Sequence, residues 1–175
     1  MKAICKIILI LLITVSSYEN FAQSLDTSTY QRIKSVLVQT GHQQVEELRT
    51  QVDRVTSEPV PYLKALVNEA GLRVYAKERA IMLLQYYPSA DTEKFLEQKI
   101  NDETDRSSVR TFAVKSYANG FYWRNQTKVE GFLKEKRDDS QLRTVIDQSL
   151  SEVKTQGIKK PNLQLDTETL QRNKK

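Results

Sequence analysis

Three aromatics, Phe121, Tyr122 and Trp123, stand between Gly120 and Arg124 in the run NGFYWRN, and Trp123 is the chain's one tryptophan. Aromatic and arginine side chains are the types that anchor protein–protein contacts from surfaces that exclude water. A second aromatic pair, Tyr86-Tyr87, stands in LLQYYPS. Tyr86, Tyr87, Tyr122, Trp123 and Arg124 are therefore the candidate partner-binding residues.

Residues suited to catalysis are sparse. His42 is the one histidine, beside Gly41, and reads as a solvated joint residue. With Cys5 the one cysteine, neither a zinc constellation nor a Cys–His or Ser–His–Asp arrangement can be assembled. Glu46-Glu47, Asp102-Glu103 with Asp105, and Asp138-Asp139 bring carboxylates close in sequence. Glycosidase chemistry needs two carboxyls facing one cleft with separated pKa values, whereas neighbours in a charged joint point apart. NDETD lacks the spaced ligands, central Gly and terminal Glu of a calcium hand. Nor does any glycine-rich phosphate loop occur. The expectation is a chain without catalytic, cofactor-binding or metal-binding residues.

The N-terminus reads as an export signal. Lys2 and Lys6 precede an apolar run from Ile7 to Val15, and a polar stretch then ends in a small residue. That run is well short of the roughly 20 apolar residues that span a bilayer. Cleavage is expected after Ala22, with Ser17 the alternative, giving a periplasmic or secreted protein with no integral membrane segment. Cys5 precedes the apolar run, so it cannot carry a lipoprotein's lipid, and the mature chain has neither disulfides nor thiol chemistry.

Removing Lys2, Lys6 and Glu19 takes 27 basic and 22 acidic side chains to 25 and 21. So small and interspersed an excess serves solubility and does not make a nucleic-acid footprint. The tail GIKKPNLQLDTETLQRNKK is basic at both ends and reads as a solvated terminus or an anion-binding arm. Around Leu165 it could hold a degenerate last helix.

These residues must be positioned by helices. After the signal, apolar residues recur at helical spacing and no run alternates like a strand. Tyr30, Ile33, Val36 and Leu37 form one stripe, and Val45, Leu48, Val52 and Val55 a second. Pro61 suits a first helical turn and Gly71 a helix end. The chain also matches itself. YLKALVNE, FLEQKIND and FLKEKRDD share an aromatic-Leu opening, while GLRVYAKERAIMLL, SVRTFAVKSYANGF and QLRTVIDQSLSEVK share an aliphatic-Arg opening. Leu72 to Phe95 and Val109 to Phe132 are both 23 residues, so the unit is 33 residues, lengthened once to 37. Such a helical hairpin cannot bury its apolar face alone, and stacking neighbours completes a core. An ordinary helical bundle with helices of similar length is the rival architecture.

The pattern resembles the HEAT-repeat family and its HEAT-like variants, as an exported bacterial member. The carriers are Leu72, Arg73 and Ala76; Val109, Arg110 and Ala113; Leu142, Arg143 and Ile146; with Phe95-Leu96, Asn101-Asp102, Phe132-Leu133 and Asp138-Asp139. They cover about residues 60–155, although most of the family's Gly and Pro landmarks are missing and Ile146 replaces a small residue. The resemblance implies an all-α fold: a short α-solenoid of stacked antiparallel hairpins acting as an interaction scaffold. It further implies that Arg73, Arg110 and Arg143 ladder with joint acids such as Asp102 and Asp139. The expected division is a signal over 1–22, a repeat domain over 23–158 and a tail over 159–175.

The function expected is non-catalytic binding of another protein or peptide in the cell envelope. Binding an anionic envelope polymer or lipid surface through basic residues is the alternative, and a lyase-type HEAT-like enzyme a third reading. At an offset of 37, Phe121 maps onto Leu84, Trp123 onto Tyr86 and Arg124 onto Tyr87. NGFYWRN is then the bend of a repeat, with Phe121 and part of Trp123 expected to pack. Tyr122 and Arg124 are expected to be exposed, and Asn119-Gly120 to end its helix earlier than in the preceding repeat.

Overall fold

The computed structural model describes residues 25–41 and 43–155. The expected signal, the tail beyond 155 and His42 lie outside the described residues. Among those described, the chain forms eight helices and no strand. They are α1 (Thr27–Leu37), α2 (Val45–Asp53), α3 (Val60–Asn68), α4 (Val74–Leu84), α5 (Ala90–Asn101), α6 (Ser107–Phe121), α7 (Gln126–Glu135) and α8 (Arg143–Thr155).

Local chemistry sets several boundaries. Asp26, Ser89 and Asn125 are N-caps whose side-chain oxygens accept from the backbone N–H three residues on, at 2.6, 3.0 and 3.0 Å. Pro61 sits in the first turn of α3, where its missing N–H costs no helical bond. Gly41 and Gly71 take positive φ, 117° and 79°, in the turns after α1 and α3.

One cluster of buried side chains runs from Ile33 to Val153. Within it α4 packs on α3 and α6, and α6 packs on α4, α5 and α8. At the N-terminal side, α1 and α2 contact each other and α4, and α1 also touches α3. A helix enclosed on several sides must be apolar on several sides. In keeping with this, α6 buries Val109, Ala113, Val114, Tyr117, Ala118 and Phe121.

Most residues aligned by the sequence self-match are buried. Leu63, Leu96 and Leu133 are fully buried, as are Ala76, Ala113 and Ile146. Each of those leucines stabilises the fold by about 1.5–3 kcal/mol through removal from water. Leu72, Val109 and Leu142 are also buried. Of the aromatic partners only Phe95 is; Tyr62 and Phe132 pack partly buried against the core.

Two expectations are corrected. The α6 helix does not stop early at Asn119-Gly120: it reaches Phe121, the 37-residue equivalent of Leu84, where α4 ends. Gly120 is there for proximity, since a Cβ on it would lie 3.0 Å from the Gln85 carbonyl oxygen and 3.1 Å from the Gln85 Cα. The arginine ladder is also only partial. Arg110 donates to Asp139 Oδ2 at 2.6 Å and to the Ile100 carbonyl at 3.0 Å, joining the ends of α5 and α7. Arg143 instead donates to the Arg137 carbonyl, and Arg73 is exposed at the N-cap of α4. Asp102 accepts from Thr104 and pairs with Lys99.

Candidate functional site

The C-terminal ends of α4 and α6 lie side by side, as the Gly120–Gln85 approach requires. Their bends therefore share one edge of the molecule, and four of the five candidate residues meet there. Arg124 supplies the join: its Nη1 donates to the Pro88 carbonyl at 3.0 Å, and its guanidinium lies 5.7 Å from the Trp123 ring centroid. Trp123 is half-buried and Arg124 exposed.

At the α4–α5 bend a cleft of about 500 Å³ is walled by Ser57 to Pro61 on one side and Tyr86 to Ser89 on the other, with Asp91 at its rim. Helix α2 fixes both tyrosines from behind. The Tyr86 hydroxyl donates to Glu46 at 2.9 Å, and Arg49 lies 5.0 Å from its ring centroid. The Tyr87 hydroxyl donates to Asp53 Oδ1 at 2.6 Å, while Arg49 pairs with Asp53 Oδ2 at 3.3 Å. Burial, then the bond to Glu46, pushes the Tyr86 phenol up to about 12. Burial and the Asp53 carboxylate also push the Tyr87 phenol up. Neither ring ionises near neutral pH, so the pair offers fixed aromatic surface and no acid–base chemistry.

Tyr122 departs from the expectation of exposure. It is buried, with 6 % of its surface exposed, and its hydroxyl donates to Glu130 at 3.0 Å. The cause is local: α6 continues through Phe121, and the next residue is carried onto the inner side, against α7. Glu130 also takes Lys134 at 2.7 Å and Lys154 at 3.0 Å. Bonds from Lys134, Lys154 and Tyr122 pull its carboxyl down to about 2. Tyr122 thus holds α6, α7 and α8 together at this edge and is not available to a partner. Phe121, 1 % exposed, takes the core place expected of it.

Sequence reasoning overlooked the prolines. Pro59, Pro61 and Pro88 line the cleft, three of the chain's four. The signal was present: Pro88 directly follows Tyr86-Tyr87, and Pro59-Val60-Pro61 opens the helix packed against α4. Glu46, Arg49 and Asp53 were unreadable because α2 meets the bend only through the tertiary fold.

Among the described residues, no group of three or more His, Cys, Asp or Glu side chains could hold a metal ion. No helix among them is long and apolar enough to cross a membrane. Comparison with protein-family profiles, curated proteins and solved structures finds no match to the chain.

Proposed function

We propose that the chain is an exported, non-catalytic scaffold of HEAT-like helical hairpins, stacked as a short solenoid, that binds another protein in the cell envelope along the bend edge. The observation carrying this reading is the continuity of that edge: the Tyr86–Tyr87–Pro88 bend is tied to Trp123-Arg124 of the next bend by the Arg124–Pro88 hydrogen bond. The equivalent burial of Leu63, Leu96 and Leu133 supports the stacked-hairpin part. The short apolar run after Lys2 and Lys6 supports export. Pre-fixed aromatic rings suit binding because little side-chain freedom is left to lose. The polyanion alternative draws less support. Lys34, Lys64, Lys99, Arg110, Lys128, Lys134, Arg137 and Lys154 are all in ion pairs.

Site-specific photo-crosslinking in the native host tests this. A photoreactive residue at Arg124, on the bend edge, should yield discrete adducts in the envelope fraction. The same residue at Arg73, at the opposite end of α4, should not. Equal adduct patterns from the two positions, or no adduct from Arg124, would reject the bend edge. The mature N-terminus, read by mass spectrometry, should be Gln23 or Tyr18; an intact Met1 in exported protein would reject the signal.

A further inference from the structure

The chemistry of the cleft at the α4–α5 bend restricts what can occupy it. Its walls carry three prolines, which have no N–H to offer a ligand backbone. The two phenol hydroxyls are committed inward, to Glu46 and Asp53, so the tyrosines present ring surface and no free donor. A strand-like ligand, held by a ladder of main-chain bonds, would find too few partners here. A ligand that brings no N–H groups needing acceptors, and whose carbonyls can stay in water, fits better. A proline-rich polyproline II segment is that ligand: it has no internal hydrogen bonds and lays rigid rings against aromatic-lined grooves.

Charge selects further. The charged side chains in the lining are Glu58 and Asp91, both acidic. Glu58 is exposed, and Asp91, paired with Lys64 at 2.6 Å, keeps 73 % of its side chain open. Arg124 meets Pro88 through its carbonyl, on the side facing the next bend, and Arg54 is exposed at the end of α2. A cationic ligand side chain therefore finds its complement at the Glu58–Asp91 side of the cleft.

We infer that the groove formed by Pro59, Pro61, Tyr86, Tyr87 and Pro88 binds an extended, proline-rich segment of a partner protein flanked by Lys or Arg, with the basic residue set against Glu58 and Asp91. This rests on the reading of the chain as a protein-binding scaffold and gives that partner its chemistry.

Trp123 supplies the measurement, being the one tryptophan and the neighbour of Arg124. The mature chain is titrated with three acetylated, amidated hexapeptides: Lys-(Pro)4-Lys, Glu-(Pro)4-Glu and Lys-(Ser)4-Lys. Trp123 emission gives affinity, and amide shifts in a 15N-labelled sample give location. The Lys-proline peptide should saturate and shift amides at Val60, Tyr86, Tyr87 and Ser89. The Glu-proline peptide should bind about fivefold more weakly, the scale of an exposed charge pair. The serine peptide should not saturate at all. Glu58→Lys, a surface change remote from the core, should reverse the order of the two proline peptides. Equal binding of all three peptides, shifts confined to other surfaces, or a Glu58→Lys variant with unchanged preference would overturn the inference. Emission that moves with protein concentration alone would instead assign the groove to a second copy, and so also overturn it. Adducts from Arg124 with no peptide binding would sink this inference and leave the scaffold reading standing. Peptide binding without adducts would keep the groove and reject the wider bend edge through Arg124.

Discussion

Gly120 and Gly131 both lie inside helices, yet the space around them is opposite. A Cβ at Gly120 would press on the Gln85 backbone at 3.0 Å, and backbone cannot swing aside as a side-chain tip can. Gly120→Ala should therefore destabilise the protein by about 1–3 kcal/mol, the usual cost of overpacking. Gly131, in α7, has nothing within 4 Å. Gly131→Ala should stabilise by about 0.5–1 kcal/mol, from helix propensity alone. Urea unfolding of both variants checks the opposite signs; a neutral Gly120→Ala would mean that the two helix ends are not in contact. Glu130 sets an acid limit. Its folded carboxyl titrates near 2, below the ordinary 4.5, so its contribution is present above about pH 4.5 and is lost as pH falls toward 2. Glu130→Gln should flatten that part of the stability–pH curve and leave the curve's shape near neutrality unchanged. A pH series of unfolding midpoints for the two proteins measures the difference.

At the scale of elements, two side chains of α4 clamp the C-terminal end of α1. Arg79 donates to the carbonyls of Leu37, Gln39 and Gly41 at 2.8, 2.6 and 2.8 Å, and the Tyr75 hydroxyl donates to that of Val38 at 2.7 Å. These are carbonyls at the end of α1 and in the turn after it, which lack helical partners of their own. Arg79→Ala should cost about 2 kcal/mol, since bonds to a charged donor are the stronger ones. It should also raise amide exchange in α1 while leaving α8 unchanged; equal acceleration in both would refute a local clamp. Elements of this kind divide into those the sequence announces and those it hides. Leu63, Leu96 and Leu133 were legible because helical period and repeat spacing both placed them on an apolar stripe. The bend aromatics were legible as a cluster for the same reason. Arg79 and the α2 acids behind Tyr86 and Tyr87 were not, because their partners lie about 40 residues away and no local pattern encodes the docking of α1 and α2 onto α4. Tyr122 was misplaced because one further residue of α6 decides which side it faces, and Gly120 gave the wrong cue. A glycine near a helix end reads as a stop, although here it marks two backbones in contact.

For the molecule as a whole, the issue is whether the packed helices melt singly or together. A single short helix is marginal in water, so its stability comes from the neighbours it packs on. The buried cluster is continuous from Ile33 to Val153, and α4 and α6 each touch several other helices. Tyr122, Glu130 and Lys154 add a polar tie across the last three helices, and Arg110 with Asp139 adds another. Coupling that dense makes the loss of any one anchor a loss to all. Leu63→Ala, Leu96→Ala and Leu133→Ala should each cost about 2–5 kcal/mol, as fully buried leucines do. Each should lower one common unfolding transition, in which far-ultraviolet ellipticity and Trp123 emission change together. Leu63 is the decisive position, because it lies in α3, far along the chain from Trp123. If Leu63→Ala lowers the ellipticity midpoint while Trp123 keeps its own, the two parts of the molecule unfold as separate units. The bend edge would then lack the shared rigidity that holds Tyr86, Tyr87 and Arg124 in one surface.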